Sequence, residues 1–185
     1  MNPCTVSRLR VRPDGLDGAL ALAPHVYPLR EAVHGFKYGG LRVLAGPLSA
    51  LLAEGWQVRH PDVGVGIPVP LHRDKMRRRG YNQSELLSLA FGARVGLEVR
   101  SDVLKRWRAT RSQIGLSPEE RQENVSGAFI CAEGPVRGAR VALIDDVLTT
   151  GATMSACARA LREAGAREVW GLALTHPPAS GKEDQ

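Results

Sequence analysis

The sequence predicts an α/β domain built on a mostly parallel, twisted sheet flanked by helices, and three observations carry that expectation. First, short apolar runs are followed by polar turns and then by segments in which apolar residues recur every three or four positions, the alternation of strand and helix expected of a parallel sheet. Second, the clearest run, Val141, Ala142, Leu143 and Ile144, is apolar at consecutive positions, as suits a strand covered on both faces. Third, 185 residues are enough for one domain with a substantial core.

The unit around that run organises the rest. Ile144 is followed by Asp145 and Asp146, then by Val147, Leu148, Thr149, Thr150, Gly151, Ala152 and Thr153, and then by Met154, Cys157, Leu161 and Ala164 at helical spacing until Gly165. The two acids therefore sit at the carboxyl end of a strand, the edge where open α/β sheets bind ligands. The turn into the following helix offers unpaired N–H groups and the positive end of the helix dipole, and the threonines add hydroxyl donors. Carboxylates accept hydrogen bonds or help hold a hard cation, so the implied ligand carries a phosphate at one end and hydroxyls at the other. A nucleotidase-type Mg²⁺ site needs a glycine-rich loop ending in Lys-Ser or Lys-Thr, and Gly181, Lys182 and Glu183 do not make one.

Bulk properties narrow the classes. The formal charge of +6 favours anionic partners, and the cations are overwhelmingly arginine, the side chain suited to bidentate phosphate recognition. Cys4, Cys131 and Cys157 form no C-x-x-C pair, which argues against a disulfide framework and a zinc ribbon; no structural zinc is expected. No apolar stretch approaches the roughly 20 residues of a membrane span, and the amino terminus has no export signal, so a cytoplasmic protein without membrane insertion is expected.

Taken in order, residues 1–26 read as an amino-terminal arm or edge strand, in which Ser7, Leu9 and Val11 alternate with Arg8, Arg10 and Arg12 before a turn at Pro13, Asp14 and Gly15. Residues 27–176 form the main domain. Leu29, Ala32, Val33 and Phe36 predict a helix ending near Gly39, and a second apolar helix runs from about Leu41 to Glu54 with Pro47 placed to kink it; together they make a hood or flank. Lys37 and Tyr38 face either the site or the surface. The first central strand spans residues 63–68, and Pro70, Leu71, His72, Arg73, Lys75, Arg77, Arg78 and Arg79 follow as a basic loop. Asn82 with Glu85 reads as a capping box for a helix that buries Leu86, Leu89, Ala90 and Ala93. Leu97, Val99, Val103 and Leu104 continue as a strand. The polar stretch from Lys105 to Asn124, with Ser117 and Glu120 placed to cap a short helix, reads as a functional lid or as disorder. Phe129, Ile130 and Cys131 return to the sheet, residues 168–176 form the last strand, and 177–185 are a polar tail.

The acid-and-threonine unit resembles the 5-phosphoribosyl-1-pyrophosphate (PRPP) motif of type I phosphoribosyltransferases, and the predicted architecture is like that fold. The resemblance implies ribose and phosphate binding by Asp145, Asp146, Leu148, Thr149, Thr150, Gly151, Ala152 and Thr153. It also implies a pyrophosphate loop at Pro70, Leu71, His72 and Arg73, with Mg²⁺ bound through PRPP and the two acids. Phe36 to Gly40, Pro68 to His72, the Arg79-Gly80-Tyr81-Asn82-Gln83 block, and Thr110, Gln113, Arg121 and Asn124 in the flexible loop are together similar to the ComF competence family. That likeness implies a role in DNA uptake during natural transformation, with incoming single-stranded DNA and other competence proteins as partners. In catalysis it implies a pentosyl transfer in which Arg73 stabilises the departing charge and Arg106, Arg108 or Arg111 arrive as the lid closes; the acceptor stays open. A basic run at Arg77, Arg78 and Arg79, with Trp107 and Tyr81 as stacking platforms, fits single-stranded DNA. Two alternatives stand beside this reading: a nucleobase-salvage transferase, and a non-catalytic PRPP-sensing or DNA-binding module.

Overall fold

The computed structural model describes residues 7–8, 13–58, 62–108, 117–132 and 134–178. Its centre is a six-stranded sheet. The strands are β1 (Ser7–Arg8), β2 (Gly18–Pro24), β3 (Val65–Pro68), β4 (Glu98–Val99), β7 (Arg140–Val147) and β8 (Glu168–His176), in the order β1-β2-β8-β7-β3-β4. Every pairing is parallel except that of β1, which runs antiparallel to β2 at one edge. β5 (Leu104–Arg106) and β6 (Phe129–Cys131) form a separate antiparallel ribbon.

β7 is central because its sequence allows it. Val141, Ala142, Leu143 and Ile144 are fully buried, and the strand's alternation sends successive side chains into two different cores. Ala142 and Ile144 join Phe36, Leu52, Leu87 and Phe91 on the face covered by α1 (Leu29–Tyr38), α2 (Ala45–Val58) and α4 (Gln83–Val95). Val141 and Leu143 join Met154, Cys157 and Leu161 of α6 (Ala152–Glu163) on the other face, where α5 (Pro118–Val125) and the β5–β6 ribbon also pack. Each such aliphatic or aromatic side chain contributes roughly 1.5–3 kcal/mol by leaving water.

Parallel register places the site. Pro68 lies opposite Ile144, and His176 opposite Pro24, so the segments leaving β2, β3, β7 and β8 emerge at one edge. Val69 N–H donates to the Ile144 carbonyl at 2.9 Å, carrying the β3 loop alongside the acids.

Several local expectations are corrected. Residues 1–26, expected as an arm or edge strand, supply the edge strand β1 and also an interior one: residues 18–24, an alanine-rich run with little intrinsic β preference, are held by pairing with β8. α2 begins at Ala45 after a 3₁₀ turn at Arg42–Leu44, which leaves Pro47 in the first helical turn, where its missing N–H costs no hydrogen bond, and not in the helix interior where a kink is expected. The basic loop is largely a helix, α3 (Arg73–Arg79), capped by His72 accepting from Asp74 N–H and closed by Gly80 at φ +77°. Asn82 caps α4 through Ser84 N–H, and the helix buries Ser84, Leu87, Ser88, Phe91 and Gly92, leaving Leu89 exposed. The buried face is rotated toward both serines, whose hydroxyls find acceptors inside: Ser84 donates to the Asp145 carboxylate and Ser88 to the Ser84 carbonyl. Leu104 and Phe129 pair with each other's strands in the ribbon, outside the main sheet. The capping box at Ser117 and Glu120 is present at the start of α5.

Candidate functional site

The segments leaving β3 and β7 and the start of α6 enclose a cavity of about 330 Å³. Thr149, Gly151, Ala152 and Thr153 line it from the turn into α6, and Pro70 and Leu71 from the β3 loop. Gly151 holds φ +81° at the α6 N-cap, a left-handed conformation that only glycine adopts freely, and a Cβ there would stand 2.4 Å from Pro13 Cγ. Thr150 does not line the cavity; its Oγ1 accepts from Ala152 N–H at 3.4 Å within the turn. Leu148 is buried and anchors it.

The acids are not equivalent. Asp145 faces the cavity, and its Oδ1 accepts from Ser84 Oγ at 2.6 Å and from Asp146 N–H at 2.9 Å. Burial, and then the charge of Asp146, push its carboxyl up to about 7, against the pull of Lys37 and the Ser84 hydrogen bond. The Asp146 side chain is only 2% exposed; Oδ1 pairs with Lys37 Nζ at 3.0 Å, and Oδ2 is buried with no hydrogen-bond partner. Lys37 comes from the last turn of α1. Burial pulls its ammonium down, but Asp146 and Asp145 outweigh that and raise it, so it is charged at neutral pH. Both acids line the cavity, as does Lys37, and they differ in their partners: Asp145 is held by Ser84 of α4, and Asp146 by Lys37 of α1.

Cations line the same cavity from three elements: Lys75 and Arg79 from α3, Arg106 from β5 and Arg121 from α5. Lys75 and Arg79 are four apart and share a helical face. Burial, then the charges of Arg106, Arg79 and Arg78, lower the Lys75 ammonium. Arg106 is buried against the Phe129 ring at 5.3 Å, and burial lowers its guanidinium. Arg106 thus reaches the cavity from a packed strand and needs no lid closure to do so.

Other sequence candidates lie elsewhere. Arg73 is exposed on α3, off the cavity, and His72 is used as the helix cap. Arg108 binds the Ser126 and Asn124 carbonyls, tying β5 to the end of α5; Asn124 itself does not line the cavity. The run Arg77, Arg78, Arg79 is divided, with Arg77 and Arg78 exposed and Arg79 turned inward over the Tyr38 ring at 5.0 Å. Trp107 is 60% exposed, its indole N–H donating to the Gly127 carbonyl at 2.9 Å. Tyr81 is buried and donates to the Phe36 carbonyl, so it is no stacking platform. Thr110, Gln113 and Arg111 lie outside the described residues.

Ser84 and Lys75 were not singled out from sequence. Ser84 carries no signal except its place in the first turn of α4, whereas the spacing of Lys75 to Arg79 is readable once residues 73–79 are taken as a helix.

Comparison with known proteins agrees with this layout. The phosphoribosyl transferase domain family matches residues 85–185. Competence protein F of Haemophilus influenzae is 43% identical over 170 residues, covering 85% of this chain and 72% of its own length. DNA utilization protein YhgH of Escherichia coli K12 is 32% identical over 180 residues, covering 94% and 78%. Among solved structures, the allosteric regulatory enzyme of purine biosynthesis overlaps 71% of this chain and 25% of its own, at 23% identity and a TM-score of 0.49. A parallel sheet whose acid-bearing strand runs through a threonine turn into a helix, within a matching phosphoribosyl transferase domain, defines a type I phosphoribosyltransferase-class protein. Within that class the chain belongs to the ComF family.

Proposed function

We propose that this chain binds PRPP with Mg²⁺ in the cavity and acts in DNA uptake during natural transformation. One observation carries the ligand assignment: an accepting carboxylate, a helix N-terminus with hydroxyl donors, and a group of cations all open into a single cavity. The α6 turn suits the 5-phosphate, Asp145 the ribose hydroxyls, and Lys75, Arg79 and Arg106 the pyrophosphate.

The donor set fits magnesium in one way only. Among the described residues no three His, Cys, Asp or Glu side chains are grouped to hold a metal ion. Mg²⁺ keeps several waters and is commonly held through ligand phosphates, so Asp145 would contribute directly or through a water while PRPP supplies most of the oxygens. When bound, the ion neutralises pyrophosphate charge. The chain's own part is electrostatic: cations fixed in a half-enclosed cavity stabilise negative charge that develops on pyrophosphate as the C1–O bond breaks, with no protein nucleophile required.

The competence role is supported by the names of the relatives, competence protein F and DNA utilization protein. Arg77 and Arg78 on α3, and Trp107 after β5, are exposed and off the cavity, and each suits a contact to single-stranded DNA outside the PRPP site. No described helix is long and apolar enough to cross a membrane.

The test is thermal unfolding with PRPP and Mg²⁺. The melting temperature should rise for the wild type and stay unchanged for the D145N/D146N double variant. A shift that survives both substitutions places the ligand elsewhere. Pyrophosphate release with a free nucleobase would instead favour salvage chemistry.

A further inference from the structure

The block Arg79-Gly80-Tyr81-Asn82-Gln83 joins α3 to α4, and the acid-and-threonine unit does not account for it. Gly80, at φ +77°, closes α3 and turns the chain, so that the last residue of α3 meets the first of α4. There Arg79 Nη1 donates to Gln83 Oε1, Gln83 Nε2 donates to Ser84 Oγ at 3.4 Å, and Ser84 Oγ donates to Asp145 Oδ1 at 2.6 Å. Arg79, Gln83 and Asp145 line the cavity; Gln83 is only 5% exposed and Ser84 not at all, so the links between them are shielded from water. We propose that Gln83 and Ser84 are positioning residues that join the Arg79 guanidinium to the Asp145 carboxylate in one hydrogen-bonded chain, so that cation and acid act on a ligand as a unit.

The groups at the two ends fix the direction of the chain. A guanidinium only donates hydrogen bonds and a carboxylate only accepts them. Every link therefore runs from Arg79 toward Asp145: Gln83 turns its oxygen to the arginine and its NH₂ to Ser84, and the serine hydrogen points at the acid. Links aligned in this way polarise one another. The bonds from Ser84 and from Asp146 N–H both fall on Oδ1 of Asp145, which sets the rotation of the carboxylate and leaves Oδ2 for a ligand. Cutting the chain at Gln83 keeps both end groups in the cavity and lets each turn alone. The assignment rests on the PRPP reading and deepens it: a ligand that is anionic at one end and hydroxylated at the other meets an arginine and an acid already ordered together, which lowers the cost of binding.

The experiment is titration calorimetry of PRPP with Mg²⁺ on the wild type, R79Q, S84A and R79Q/S84A, each checked by thermal unfolding, and on the same four in a Q83M background. R79Q and S84A should each weaken binding by about tenfold. Losses at independent positions multiply, whereas losses within one network do not. The double variant should therefore lose about twentyfold, well short of about a hundredfold. With Met at position 83 the link is gone, and the two losses should multiply. Simple damage to packing would give the same pattern in both backgrounds. An S84A protein with wild-type affinity, a double variant that loses about a hundredfold, or a pattern unchanged by Q83M overturns the assignment. If S84A fails to fold, Q83M and D145N, at positions linked through Ser84, take its place. Losses that multiply then overturn the assignment, and a double variant about fivefold better than their product supports it. A wild type that ignores PRPP even with Mg²⁺ overturns the PRPP reading itself; PRPP binding with losses that multiply overturns only the chain.

Discussion

Replacing Asp145 by Asn should stabilise the protein at neutral pH while destroying ligand binding. In the fold its carboxyl is held up to about 7 by burial and by Asp146, against 3.8 for the free side chain. That gap of about 3 pH units corresponds to about 4 kcal/mol. Its sign follows from which state ionises first. At pH 3 the carboxyl is protonated in both states and Asp145 costs nothing. Between about pH 4 and pH 7 the unfolded chain ionises it while the folded chain resists, so this residue lowers stability as pH rises through that window. Above pH 7 the penalty is complete and constant. An amide has no such term, and its oxygen still accepts from Ser84 Oγ and Asp146 N–H. Urea unfolding of the wild type and D145N from pH 4 to pH 8 measures the difference directly. D145N should match the wild type near pH 4 and exceed it progressively, by up to about 4 kcal/mol at pH 8. A gap that does not change with pH, or a D145N protein that is less stable at pH 8, would refute the reasoning.

Other outcomes follow from the same geometry. G151A should lower the melting temperature and abolish the PRPP-dependent shift, because the substitution strains a residue at φ +81° and drives a Cβ into Pro13; the strain alone costs about 1–3 kcal/mol. F91A should cost about 3–5 kcal/mol in urea unfolding, since Phe91 is fully buried and packs edge-on against Trp56 at 5.5 Å. Tyr81→Phe removes the bond to the Phe36 carbonyl and should cost about 0.5–1.5 kcal/mol by the same assay, leaving that carbonyl to find another donor. R106Q should weaken pyrophosphate binding in calorimetry by about tenfold, and R73Q should leave it unchanged, because only the first side chain lines the cavity.

The centre of the fold was readable in the sequence, and the periphery was not, for physical reasons. β7, α6 and β8 are long and strongly patterned, so periodicity alone places them, and the acids and the threonine turn come out at the strand's carboxyl end as expected. β2 is alanine-rich and becomes a strand only by pairing with β8. β5 and β6 are three residues each, too short to declare a partner, and they chose each other. α3 has no buried side chain, so no apolar stripe announces it. The site divided in the same way. The turn was visible because glycine and threonine at such a position have few other uses. The different partners of the two acids are not legible in the sequence, because Ser84 and Lys37 come from distant helices, and a lysine's long stem allows Lys37 either burial or solvent.

That lack of buried side chains sets α3 apart. It is held by its own caps, by the Arg42 guanidinium on the Gly80 carbonyl at 3.1 Å, and by Arg79 reaching toward Gln83 and Tyr38. Charges on its outer surface can therefore be added, removed or reversed with little effect on whether the chain folds. A mutational drift that alters how strongly this edge attracts polyanions is open to the protein at almost no structural risk, while the residues two helical positions away stay committed to the cavity.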